Sequence, residues 1–147
     1  MRTTGEAAVA AMYLRVRLGS EHYALGLEHV LEVLELGDLT PVPGAAAAVL
    51  GLHNLRGEIL ASVDLAAVLG LATTGQARHL VLVEDGHHRA GLAVDELFDL
   101  AALPEPSATT GSEFLLGGAL VDGALIGVVD VPAVLDSVAA ATVSEAA

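Results

Sequence analysis

The chain has 147 residues, of which 54% are apolar and only 3% aromatic, so one compact unit with an interior of Ala, Val, Leu and Ile is expected and a disordered body is excluded. Nineteen acidic against six basic residues leave a formal charge of −13, which repels phosphate backbones and anionic membranes and argues against nucleic acid or direct membrane insertion. Cysteine is absent, which removes disulfides, thiol catalysis and Cys-ligated metals and suits a reducing cytoplasm.

Residues 1–11 read as a tail, with Arg2 and Glu6 among small side chains and no signal peptide. Tyr13 to Leu18 alternates, Gly19-Ser20 interrupts, and Tyr23 to Leu27 resumes, which predicts a hairpin. Leu27, Val30, Leu31 and Leu34 have helical spacing, yet Val30 to Leu36 also suits a buried strand, so a short helical turn followed by a strand is expected. Thr40-Pro41-Val42-Pro43-Gly44 is a loop, because each proline removes a backbone donor. A short Ala-rich helix over Ala45 to Val49 is expected next, then strands over Gly51 to Leu55 and Glu58 to Val63 joined around Arg56-Gly57. Asp64 is placed to cap a helix over Leu65 to Leu69, with Gly70 as its stop. No apolar run approaches the roughly 20 residues that span a bilayer.

The second half repeats this plan. Val63-Asp64-Leu65-Ala66-Ala67-Val68-Leu69 aligns with Val129-Asp130-Val131-Pro132-Ala133-Val134-Leu135 at an offset of 66 residues. The same offset pairs Gly51 with Gly117, Gly57 with Gly123, Leu60 with Ile126, Leu14 with Leu80 and Ala24 with Ala90. Two similar five-strand units are expected, about 12–71 and 78–138, divided by the polar stretch Ala72 to Ala77. Short strands with Gly-rich turns favour barrels over a parallel sheet, so the class is mostly β. Pro132 suits the first turn of a last helix, and residues 139–147 are expected to fray as a second tail.

Arg56 is the only basic residue between Arg17 and Arg78, and its repeat partner is Asp122. A residue needed only for the turn would recur in kind, so Arg56 is a candidate contact residue; the alternative is a salt bridge to Glu32 or Glu58. Asp64 and Asp130 read as caps more readily than as a catalytic carboxylate pair. None of the six histidines has a two-His helical spacing with a third ligand, and His87-His88 falls in a turn, so no metal site is expected. The glycines of Gly117 to Gly127 open no phosphate-binding motif, and no nucleophile elbow occurs. Apolar residues that a barrel leaves exposed would mark a partner site, with Val30, Val33 and Val94 as candidates, core packing being the alternative for each of them.

Leu14 to Leu18, Tyr23 to Leu27, Val30-Leu31-Glu32-Val33, Thr40 to Pro43, Gly51-Leu52-His53-Asn54-Leu55-Arg56-Gly57, Ile59 to Leu65 and Gly91 to Leu97 together resemble the CheW-like family in order and spacing. The Asn-Leu-Arg-Gly turn followed by Val-Asp-Leu is the most specific part, and the match spans about residues 12–138. The resemblance implies two intertwined five-stranded SH3-like barrels with short helices and a C-terminal helix. It implies an adaptor without cofactor or catalysis, joining the signalling tip of methyl-accepting chemoreceptors to the regulatory domain of the histidine kinase CheA. Arg56, Asn54 and Gly57 match the family's turn, Glu32 matches the glutamate of its Val-Arg-Glu-Val pattern, and Leu31 departs from it where the family commonly carries arginine. The rival expectation is a ligand-binding or hydrolytic barrel protein with a cavity between the units, lined by Asp64, Asp95 and Glu96.

Overall fold

In the computed structural model of the chain the described residues are 11–146 apart from 38, 43–46, 73–74 and 108–111. The first hairpin pairs β1 (Ala11–Leu18) with β2 (Glu21–Gly26) in a register that sets Leu18 against Glu21. A single 3₁₀ turn, Leu27–His29, leads into β3 (Val30–Glu35). After β4 (Val49–Leu55) and β5 (Glu58–Asp64), Asp64 Oδ1 accepts the Ala66 N–H at 3.2 Å and caps a one-turn helix, α1 (Leu65–Val68). The second half follows with β6 (His79–Glu84), β7 (Arg89–Val94), β8 (Glu96–Leu103), β9 (Leu115–Val121), β10 (Ala124–Val129) and α2 (Val131–Ala146). Asp130 caps α2 through the Ala133 N–H at 3.1 Å.

Two local expectations need correction. Of the helix expected over Ala45 to Val49, residues 45–46 lie outside the described residues, Ala47 and Ala48 form a turn, and β-branched Val49 pairs with Val63 as the first residue of β4. The final helix continues to Ala146, past the residue-139 boundary, as alanine's helix propensity favours.

The strand orders are β8-β1-β2-β10-β9 and β3-β6-β7-β5-β4. Shifting every label of the first sheet by five strands reproduces the second, so the repeat is carried into three dimensions as a pseudo-twofold pair. The sheets do not follow the chain halves, because each takes one hairpin from one half and three strands from the other. Parallel pairings of β2 with β10 and of β5 with β7 make the joins. Each sheet closes towards a barrel in the same way. Past β3, Thr40 exchanges backbone hydrogen bonds with Leu52 on β4 at 2.8 and 3.0 Å, and past β8 the Ser107 N–H reaches Gly118 on β9 at 3.0 Å.

The offset of 66 holds for β4, β5 and the helix starts but not for the preceding strands. The joins set Val63 against Leu92 and Val128 against Ala24, which makes Leu25 the counterpart of Leu92 and Leu14 the counterpart of Val81, 67 residues apart. One residue flips a strand's faces. Leu14 and Val81 both enter the core shared by the two sheets, whereas Leu80, matched to Leu14 at 66, enters a barrel interior.

Among the described residues three apolar cores result. Ile126, Val128, Ala119, Leu103 and Ala24 fill one barrel; Leu60, Leu80, Leu82 and Ala93 fill the other. The third and largest lies between them, built from Leu14, Val16 and Leu25 of one sheet, Val81, Val83 and Leu92 of the other, and Val131, Val134, Leu135 and Val138 on one face of α2. Strands β6 and β7 are therefore buried on both faces, which is why they read as continuous apolar runs rather than alternating ones.

Candidate protein-binding face

The β4–β5 hairpin presents the most specific motif of the sequence. Arg56 and Gly57 both have positive φ, 48° and 89°, the pattern of a two-residue type I′ turn whose twist matches the flanking strands. Asn54 Oδ1 accepts the Gly57 N–H at 3.1 Å and holds the turn closed. Asn54 and Gly57 thus act on the backbone, and the residue they display is Arg56, whose side chain is 69% exposed.

Arg56 forms a two-pronged ion pair with Glu32 on β3, its Nη2 on Oε1 and its Nη1 3.5 Å from Oε2. Strand β3 is one edge of its sheet and the β4 hairpin the other, so the pair bridges the seam of the barrel. Of the two carboxylates expected for Arg56, Glu58 is taken instead by Arg89, whose Nη1 lies 2.7 Å from it while its Nη2 lies 2.8 Å from Glu84. The hydrogen bond to Glu84, then the charge of Glu58, raise the Arg89 pKa above its ordinary value. A cleft of ≈ 280 Å³ lies among Leu31, Glu32, Leu55, Arg56, Leu82 and Arg89.

The valines separate. Val33 is 37% exposed, Val30 is half-buried against the shared core, and Val94 is fully buried in that core and touches no solvent. Val94 is corrected from contact residue to core residue, because β7 is covered on both faces. Among the described residues, the exposed large apolar residues that sequence reasoning missed are Met12, Ile59, Phe98, Leu100, Leu116, Leu120 and Leu125, together with Leu31, noted above only as a departure. For Phe98 and Leu100 the signal was the repeat at its corrected offset, which matches them with Leu31 and Val33. Val33 stands opposite Val81, and Leu100 opposite Leu14. Val33 and Leu100 therefore extend the face of the shared core outwards on the edge strands, whereas the bulge residues turn to the other face, Phe98 against the His22 ring at 4.5 Å and Leu31 beside Leu82 in the cleft. Leu120 and Leu125 face each other across β9–β10. Ile59, the counterpart of Leu125 at 66, borders a groove of ≈ 560 Å³ beside α2.

The carboxylates of the rival expectation have structural partners. Asp64 caps α1, Asp95 Oδ2 accepts the Gly19 N–H at 2.8 Å and ties the first turn to the β7–β8 junction, and Glu96 pairs with Arg17 at 2.8 Å. The space between the barrels is the shared apolar core. No described helix is long and apolar enough to cross a membrane.

A family model described as the CheW-like domain matches residues 12–139. The chemotaxis protein CheW of Rhizobium meliloti (strain 1021) is 33% identical over 131 residues, covering 82% of this chain and 84% of that protein. The probable chemotaxis protein CheW of Rhizobium etli is 30% identical over 141 residues, covering 89% and 88%. The crystal structure of the scaffolding protein TtCheW from Thermoanaerobacter tengcongensis is similar with a TM-score of 0.73 at 25% identity, covering 82% of this chain and 84% of that one. The two five-stranded units are accordingly SH3-like barrels. The chain belongs to the CheW-like family of chemotaxis coupling adaptors.

Proposed function

We propose that this adaptor works in the cytoplasm without catalysis, holding the signalling tip of a chemoreceptor and the regulatory domain of the kinase CheA in fixed relative geometry. The observation that carries the reading is the pair of matching apolar edges, Leu31 and Val33 on one barrel and Phe98 and Leu100 on the other, on which Val33 and Leu100 continue the face of the one shared core. Exposed apolar surface on a soluble domain marks a docking site, since water leaves it on binding. Two such edges on one rigid body transmit a displacement of one partner to the other, because a close-packed core does not deform continuously. Arg56 and Glu32 flank the Leu31–Val33 edge and supply charge-assisted contacts that fix register more than affinity. Asn54 and Gly57 set the Arg56 backbone, and half-buried Val30 supports the edge from below.

The test is co-sedimentation of the purified chain with a receptor-tip fragment and the CheA regulatory domain from the same genome. A ternary complex is expected; Arg56→Glu weakens it, and Leu31→Glu with Val33→Glu removes one partner while sparing the other. Equal capture of both partners by these variants refutes the assignment.

A further inference from the structure

Outside the docking face, one group of side chains brings together donors that the sequence keeps far apart. Asp85 and His88 lie in the β6–β7 turn and Asp136 on α2, and one ligand atom from each lies within 4.8 Å of the other two. We propose that Asp85, His88 and Asp136 form a site for a divalent transition metal of the zinc class, which fastens the C-terminal helix to the β6–β7 turn.

The donor set is mixed, one imidazole nitrogen and two carboxylates, which suits zinc-class ions better than magnesium or calcium with their preference for oxygen. His88 Nδ1 and Asp136 Oδ1 stand 3.5 Å apart, close to the edge of a tetrahedron with metal–ligand bonds of about 2.0–2.1 Å. The turn is organised before any ion arrives. One Asp85 oxygen accepts the N–H groups of His87 and His88, each at 2.8 Å, while the Asp85 N–H donates to the His88 carbonyl at 3.2 Å. Asp136 is held by the helix whose Leu135 and Val138 are buried in the shared core, so packing fixes one half of the site and hydrogen bonds fix the other. The chain's charge of −13 raises the local concentration of cations around this exposed group. Spacing within the sequence could not reveal the site, because Asp136 comes from an element distant in the chain.

The test is isothermal titration of zinc chloride into the full chain after treatment with EDTA and desalting, alongside thermal melts with and without the ion. One zinc per chain and a higher Tm are expected. His88→Ala and Asp136→Asn each lower the affinity by about tenfold or more and abolish the rise in Tm, while melting like the parent chain in EDTA, since neither side chain is part of an apolar core. His53→Ala, on β4, leaves binding unchanged. Absence of zinc binding overturns the proposal. So does unchanged binding by His88→Ala, which would assign the ion to other histidines, or equal binding of magnesium chloride, which would reduce the group to a patch of negative charge.

Discussion

The β4–β5 and β9–β10 hairpins share a backbone and differ in chemistry. Arg56-Gly57 and Asp122-Gly123 have nearly the same φ values, 48° and 89° against 50° and 80°. Aspartate is favoured at the first of these positions because its short side chain tolerates left-handed geometry, whereas a long side chain there costs roughly 1–2 kcal/mol. Arg56 therefore sits where the turn itself would not choose it, and its exposed ion pair offsets only about 0–1 kcal/mol. Pseudo-symmetric scaffolds show in this way which residues serve the fold. Glycine recurs at the second turn position in both halves, while the charge at the first is free to serve a contact.

The strongest test of the symmetry lies in the shared core. Leu25→Ala and Leu92→Ala, at matching fully buried positions, should each cost about 2–5 kcal/mol and give a single urea transition, since neither barrel keeps its strands without the other. Two separate transitions would show that the barrels unfold independently despite the exchange.

Next in size is the barrel seam. A Cβ on Gly51 would lie 2.6 Å from the Thr40 carbonyl oxygen, so Gly51→Ala should lose about 1–3 kcal/mol in urea melts as the Thr40–Leu52 bonds are pushed apart. Parent-like stability would mean that the seam can open at no cost.

At the paired turns, Arg56→Asn should keep stability within about 1 kcal/mol of the parent, relief of backbone strain offsetting the lost ion pair. Capture of the partner on that barrel should fall at the same time. Asp122→Asn should change neither; an equal loss of capture in both variants would end the functional distinction between the turns.

The smallest effect is expected at Tyr23, whose counterpart at the corrected offset of 67 is the non-titrating Ala90. Burial, then the hydrogen bond and charge of Glu21, push the Tyr23 phenol from 10.0 to about 12. The fold thus favours the neutral phenol, so this contribution is intact below pH 10.0 and is lost as the pH rises through about 12. Tyr23→Phe should flatten that decline in a pH series of thermal melts; an unchanged slope would place the loss elsewhere.

Much of the local structure was legible because its causes are local. The Gly19-Ser20 hairpin, the 3₁₀ turn before β3, the Asp64 and Asp130 caps and the Arg56-Gly57 turn each depend on a few neighbouring residues. The resemblance supplied the partner classes, which neither composition nor spacing carries. The face of each strand was harder to read. Thr40 to Gly51 spans one residue more than the matching Ser107 to Gly117, and that single residue reversed the expected pairing of Leu14 and Ala24. Val94 was misjudged for a related reason, since a valine near a strand end looks the same whether one face or both are covered.

By itself, then, the sequence determined the elements, their caps, the turn that displays Arg56 and the existence of a repeat, all set by backbone preferences over a few residues. Only the tertiary structure decided that the halves exchange strands, that Glu32 meets Arg56 across a seam and that Asp136 comes beside His88. Each of these joins residues distant along the chain, and such pairings are selected by burying one common core, a quantity that no local pattern contains.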